Sequence, residues 1–388
     1  MPQIAGFRGA LWDASKVQLA SVVASPVTSV KDRLAKGELV QDPVRAMYRY
    51  HQTFNHGGRT VTRETLVCAL RLEPWTEGTI RAHEQTDPTA RDAATASIAE
   101  AGAHTEAVFA GYRDAAREVD RLFRGVDGGK PTVEVTTPDA TVHRLWRVPS
   151  AEVMGKVRTL FAPKKLHVLD GHARYEGMLG YAAKLGAANQ PQYSSAKYGL
   201  ACLVNLDDPT LVLAARHRLV RNDGIKRDAV LEGAKKYFMI EKLAGAAKNL
   251  ATINASLAET VAHQPAFVAI FAGDSDAWKL TLKPDVSPVN EGVAVHRAIQ
   301  KLDPVVVEHM FLARVLQTAA STTELDAAGV VKAVENGAAV GMVMRPLPLE
   351  QVVHADELGA LLPFGSTAFL PPLANLIAFV IDANEDVV

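Results

Sequence analysis

Cysteine is scarce in this chain, with two residues in 388. Both lie inside apolar stretches, Leu66-Val67-Cys68-Ala69-Leu70 and Leu200-Ala201-Cys202-Leu203-Val204, where a thiol behaves as a small buried hydrophobe and is expected to be inert. An excess of one charge is also missing: 42 Lys and Arg stand against 43 Asp and Glu, a net charge of −1. That balance removes the global footprint of a nucleic-acid or anionic-membrane binder, so any anion binding must be local. No uninterrupted apolar run approaches the roughly 18–20 residues that span a bilayer, and the N-terminus lacks the basic start and apolar centre of a signal peptide. The expectation is a cytoplasmic chain. There is no Gly-x-x-x-x-Gly-Lys-Ser/Thr loop, no dinucleotide Gly-x-Gly-x-x-Gly after a strand, no His-Glu-x-x-His, no paired Cys-x-x-Cys and no Gly-x-Ser-x-Gly elbow, which sets aside several large enzyme classes. The 12 histidines are scattered singly, so no histidine-built metal site is indicated.

What remains is an ordinary globular balance, 48% apolar and 22% charged residues, enough for a real core. The length exceeds the roughly 250–300 residues at which one core stops growing, so two lobes are expected, cut softly at 1–222 and 223–388. Residues 44–54 and 59–72 read as two strands joined by Asn55-His56-Gly57-Gly58, a composition suited to a hairpin turn. A helical stretch near 30–39 precedes them, and an Ala-rich helix after Pro88 follows. Residues 108–112 read as a strand running into a helix near 114–124. A second hairpin pairs 132–137 with 141–148 around Pro138-Asp139. A short strand, 166–169, meets a helix in which Tyr175, Met178, Leu179, Ala182 and Leu185 recur at helical spacing. Strands at 198–206 and 211–220 flank Asp207-Asp208-Pro209-Thr210. Beyond about 225, helices (227–238, 246–262, 304–318, 327–336) alternate with strands (266–272, 277–283, 339–344). The fold class is α+β, with mixed, largely antiparallel sheets and a C-terminal α/β lobe.

Chemistry concentrates at Asp170-Gly171-His172-Ala173-Arg174. A strand that ends in Asp-Gly and opens a helix presents unpaired N–H groups and the positive end of the helix dipole, which suits phosphate or carboxylate. Arg174 can take an anion bidentately, and His172 can donate to it or move a proton. The bland alternative makes Asp170 an N-cap, Arg174 a solvated or ion-paired side chain and His172 a satisfied polar residue. His83-Glu84-Gln85-Thr86 sets imidazole, carboxylate and hydroxyl side by side in a polar connection, where a carboxylate can act as general base, or simply be a solvated loop. His217-Arg218 and Ser366-Thr367 are similar cases.

At these residues the chain resembles the bacterial family catalogued as domain of unknown function 1015. The matching blocks run nearly end to end: Phe7-Arg8-Gly9, His83 through Thr86, Val108 through Tyr112, His143 through Val148, Asp170 through Tyr175, Tyr198 through Pro209, His217 through Val220, Arg345-Pro346 and Ser366 through Phe369. The family's Asp-Gly-His-His-Arg-Tyr motif is similar to the phosphate-binding turn of the ParB and sulfiredoxin-like superfamily, which includes nucleotide-dependent free-serine kinases. That resemblance implies a ParB/sulfiredoxin-like core, with Asp170, Gly171 and Arg174 holding phosphate and His172 placed for catalysis. Thr86, His217, Ser366 and Thr367 join the phosphate or nucleotide set; by chemical type, and not by alignment onto a kinase carboxylate, Glu84 with His83 is the expected catalytic pair, Glu84 being the base. It implies ATP or ADP with Mg2+ as cofactor and transfer of a phosphoryl group to or from free serine or phosphoserine, mainly by positioning and charge neutralisation. The chain departs from the family pattern at Ala173, Gln85 and Gly365, where a histidine and two lysines are expected, and at Ser25-Pro26-Val27-Thr28. Those losses keep open a catalytically silent binding or scaffold protein, and a phosphoserine phosphatase is a further alternative. The expected partners are a small-molecule substrate and a nucleotide, without membrane; the charge disfavours nucleic acid, and a homo-oligomer stays open.

Overall fold

The computed structural model describes residues 3–56, 58–221, 224–261, 263–318 and 321–387. Gly57 of the expected hairpin turn and residues 222 and 223, at the expected lobe boundary, lie outside them. The chain clusters into two compact units, and they do not follow a single cut. Unit 1 comprises residues 1–82, 86–212 and 370–388; unit 2 comprises 83–85 and 213–369.

Unit 1 is built on a nine-stranded sheet. Its path runs through Ile80–Ala82, Leu166–Asp170, Val108–Tyr112, Tyr198–Asn205, Arg59–Arg71, Met47–His56, Val142–Val148 and Val133–Thr136, with Ile4–Ala5 alongside Arg59–Arg71. Leu166–Asp170 pairs in parallel with Ile80–Ala82, and Val108–Tyr112 with Tyr198–Asn205; the other neighbours are antiparallel. The two hairpins expected from alternation are there, Met47–His56 with Arg59–Arg71 and Val133–Thr136 with Val142–Val148. One face of the long strand, Leu66, Cys68 and Leu70, joins Val108, Ala110, Leu166, Val168, Ala201 and Leu203 in a buried core. The helix His172–Lys184 lays Tyr175 and Met178 on that core. It packs closely on the helix Pro88–Ala101: a Cβ on Gly177 would meet the Thr95 backbone nitrogen at 3.0 Å and the Ala94 Cβ at 2.9 Å. The bare backbone at Gly177 thus fixes how near the functional turn's helix can lie to its neighbour. Both thiols are free and buried. A four-stranded sheet, Leu39–Gln41, Gly9–Trp12, Ile377–Val380 and Ala103–His104, brings the last segment of the chain back into unit 1. Pairing of Ile377–Val380 with Gly9–Trp12, over 360 residues earlier, is a contact that no local pattern announces.

Unit 2 holds a six-stranded sheet in the order Phe238–Leu243, Ala277–Leu282, Ala266–Phe271, Val340–Val343, His217–Val220, Thr322–Glu324. Helices alternate with strands along the chain as expected, yet every pairing in this sheet is antiparallel. The segment 211–220 is not one strand. It breaks into Leu213–Ala214, paired with Ala368–Phe369, and His217–Val220. The expected helix 227–238 stops at Ala234, and Phe238–Leu243 is a strand. Its Phe238 and Leu243 face inward, a burial that overrides the helical reading.

Candidate functional site

The Asp170 turn lies in unit 1. Leu166–Asp170 delivers the chain to Gly171, at φ +91°, and the 13-residue helix His172–Lys184 starts at once. Glycine is required twice over here. The left-handed backbone disfavours any Cβ, and a Cβ would meet the Arg174 guanidinium at 3.0 Å. Arg174 folds back over the turn: Nη2 binds Asp170 Oδ2 at 2.9 Å, Nε binds Glu106 Oε2 at 3.1 Å, and Nη1 donates to the Ala107 carbonyl. The guanidinium is therefore pre-oriented at the helix N-terminus but already engaged at all three nitrogens. His172 is buried in the first turn. Arg174 also lines a small cavity of about 90 Å³ with Ala94, Ser97, His104 and Glu106. Thr86 belongs to the same unit, where its hydroxyl donates to Glu176 Oε1 at 2.8 Å, an oxygen shared with the Trp75 indole.

The sheet face that carries Asp170 has a residue the sequence reading missed. Strand register places Asp170 opposite Phe109, Phe109 opposite Cys202, Cys202 opposite Val67 and Thr65 opposite Tyr50, with Arg63 opposite Gln52 on the same face. Arg63 is fully buried. Its guanidinium reaches across the intervening strand to lie 4.6 Å from the centroid of Phe109. Nη2 donates to Gln52 Oε1, while Nε and Nη1 have no acceptor among the described residues. Nothing in Thr62-Arg63-Glu64 separates this arginine from a solvated one; only the register does.

Beyond the other face, Arg49 is buried among Glu64, Asp120 and Asp127, at 2.5, 3.1 and 3.3 Å. His51, Glu64 and Asp127 are a group with ligand atoms close enough to share a metal ion. Arg49 already supplies their positive charge, so the arrangement reads first as an ion-pair network that ties the helix Glu118–Asp127 to the sheet.

Unit 2 gathers four of the other expected residues. The Glu84 carboxylate accepts from the Gly365 N–H at 2.9 Å and the Thr367 N–H at 2.7 Å, and the Thr367 hydroxyl also donates to it. His83 Nε2 is 2.8 Å from the Thr367 hydroxyl oxygen and 3.4 Å from Glu84 Oε1. The Ser366 hydroxyl donates to the Pro363 carbonyl at 2.6 Å. Arg218, singled out in the sequence together with His217, is buried and donates to the Gly365 and Phe364 carbonyls at 2.7 and 3.1 Å. Burial holds its pKa below the ordinary arginine value. The 363–367 loop is thus gripped by a carboxylate on its N–H groups and by a guanidinium on its carbonyls. Gly365 lies at φ +65°, with the Arg216 side chain packed over it. His217 stands apart from the cluster's chemistry: its Nδ1 accepts from the Met344 N–H at 3.1 Å, and burial pushes its pKa down to about 4. Unit 2 also has a cleft of about 490 Å³ lined by His263, Lys301, Asp303, Arg345, Gln351 and His354. There Arg345 is clamped by Asp303, at 3.0 and 2.9 Å, and by the Gln264 carbonyl.

Comparison with known proteins adds the family. No curated protein matches the chain significantly. Among solved structures, SbnI with C-terminal truncation from Staphylococcus aureus overlaps 83% of this chain and 91% of its own, at 12% identity and a TM-score of 0.41. A conserved hypothetical protein from Pyrococcus furiosus overlaps 80% and 92%, at 12% identity and 0.39. A free serine kinase in complex with AMP overlaps 82% and 92%, at 12% identity and 0.39. A family model covers residues 13–305, and the chain belongs to the family described as protein of unknown function (DUF1015).

Proposed function

We propose that unit 1 binds a nucleotide phosphate at Asp170-Gly171-His172 and that the protein transfers a phosphoryl group between a nucleotide and a small hydroxyl amino acid, free serine or phosphoserine. The observation that carries this reading is the turn itself. Gly171 carries the strand directly into a helix whose N-terminal, positive end faces the turn, and Arg174 is held beside it by Asp170 and Glu106. The choice of serine follows the resemblance of the turn's sequence. A phosphate arriving here would compete with two carboxylates for Arg174, so binding is a partner exchange. Magnesium would arrive with the nucleotide; Asp170 and Glu106 are the oxygen donors beside the turn that fit it, and the ion would neutralise phosphate charge. In this reading Glu84 and His83 hold the 363–367 loop. Isothermal titration with ADP and ATP tests the turn: Arg174→Ala and Gly171→Ala should each weaken binding at least tenfold. Unchanged affinity in both variants would remove the proposal.

A second reading has its own observation. All three Arg174 nitrogens and both Glu84 oxygens are already engaged by the protein, as expected of a member that retains binding and has lost turnover. Nucleotide affinity without phosphoryl transfer would select it.

A further inference from the structure

Arg63 presents a charge problem that the protein alone does not solve. A guanidinium cannot shed its proton at any physiological pH, so burial leaves it charged. A buried charge without a hydrogen-bonded counter-charge is strongly unfavourable. Arg63 is wholly inaccessible, yet among the described residues its one hydrogen bond is to the neutral Gln52, and two of its nitrogens have no acceptor there. Three of the titratable groups around it, Cys202, Tyr50 and His143, are neutral at pH 7. Burial pushes the Cys202 thiol up to about 11 and the Tyr50 phenol above its ordinary range, and it pushes His143 down to about 4. Asp208, whose charge acts on Arg63, is bound to Arg117 at 3.1 Å and to the Thr210 N–H and hydroxyl at 2.8 and 2.6 Å. The side chain is also fixed in direction. Phe109 supports the guanidinium on the strand next to Asp170, and Gln52 is itself anchored by its amide group on the Pro371 carbonyl at 3.0 Å.

We infer that Arg63, positioned by Gln52 and Phe109, is a buried receptor for the carboxylate of a small ligand. Charge selects carboxylate: one negative charge cancels the single uncompensated positive one, whereas a phosphate dianion would leave a buried negative charge in its place. The aromatic floor and the two available N–H donors suit a carboxylate laid against the guanidinium. This rests on the proposed amino-acid substrate only for which carboxylate is bound.

The test is calorimetric titration of the full chain without nucleotide, using L-serine, acetate and inorganic phosphate in turn, on the wild type, Arg63→Met, Arg63→Lys and Gly171→Ala. Serine or acetate should bind the wild type and Gly171→Ala alike. Arg63→Met should lose at least tenfold in affinity, about 1.4 kcal/mol, and Arg63→Lys should keep part of it. Ligand-free Arg63→Met should melt at or above the wild-type temperature, because a binding residue has been replaced by an apolar one that the buried site accommodates better. If Arg63→Met does not fold, the loss is read from Arg63→Lys. Binding of phosphate alone, dependent on Arg63, would overturn the carboxylate assignment. Absence of binding by all three anions would overturn the receptor itself and leave Arg63 satisfied by internal water. Failure of nucleotide binding in Gly171→Ala with serine binding intact would count against the phosphate turn and not against Arg63.

Discussion

Replacing Glu84 by Gln separates a loop clamp from a catalytic base. The carboxylate takes two backbone N–H donors and one hydroxyl, through Oε2 to Gly365 and through Oε1 to Thr367. A glutamine keeps one acceptor oxygen and turns an NH2 group toward the other donor. With the oxygen left on Thr367, the Gly365 N–H faces a donor and is buried unsatisfied, costing about 1–3 kcal/mol. The bonds that survive lose their charge-assisted component, roughly 1 kcal/mol each. The sum is about 3–5 kcal/mol, large beside a total stability of about 5–15 kcal/mol. Urea unfolding followed by tryptophan fluorescence, with Trp278 as the reporter in unit 2, should show that loss. Glu84→Asp, one methylene short, should lose nearly as much. If Glu84→Gln were within about 0.5 kcal/mol of wild type while phosphoryl transfer vanished, the clamp reasoning would be refuted and Glu84 would be the base.

Arg345→Met leaves the Asp303 carboxylate buried without its bidentate partner, a loss of about 3–5 kcal/mol. Burial raises the Asp303 pKa above the usual carboxylate value even with Arg345 in place, so its protonated form favours the folded state, and stability tied to it is lost as pH rises through that pKa. Removing Arg345 raises the pKa further. The deficit of Arg345→Met in chemical denaturation should therefore be greatest near pH 8 and shrink towards pH 4; a deficit independent of pH would contradict the assignment. His104 is buried against the Tyr198 carbonyl, and burial holds its pKa at about 4. A depressed histidine contributes stability above its unfolded pKa of about 6.5, on the order of 2–4 kcal/mol, that is lost as pH falls towards 4. His104→Phe should flatten the stability profile across that window, and an unaltered acid limb would show that His104 has no part in it.

Much of unit 1 was legible in the sequence because alternation and turn chemistry act locally. The strands Met47–His56 and Arg59–Arg71, the turn after Thr136 and the Asp-Gly entry into a helix each carry their own signal. The division of the chain was not legible. His83–Gln85 leaves its neighbours to join unit 2 through bonds to residues about 280 positions later, and 370–388 returns to unit 1. Neither segment's composition differs from its surroundings. The same holds for site chemistry. The sequence identified Glu84, His83, Arg218, Ser366 and Thr367 by residue type, and the structure brings them together around the 363–367 loop. It places Thr86 in the other unit on Glu176, and it gives His217 a backbone partner. Arg63 was invisible because a charged residue in a strand is ordinarily solvated. Only the pairing of Arg63 with Gln52, and of Phe109 with both Cys202 and Asp170, reveals that it lies on the sheet face that carries the turn.

Phosphoryl transfer at the Asp170 turn is open to phosphorus NMR of the purified protein with magnesium, in one tube with serine plus ATP or ADP and in another with phosphoserine plus ADP. The expected result is gain or loss of the phosphoserine resonance with a matching change in nucleotide, abolished by Arg174→Ala. Free phosphate released from phosphoserine without a nucleotide change would contradict it in favour of a phosphatase. Unchanged spectra in both tubes would contradict it in favour of a binding protein that has kept the turn and lost the reaction.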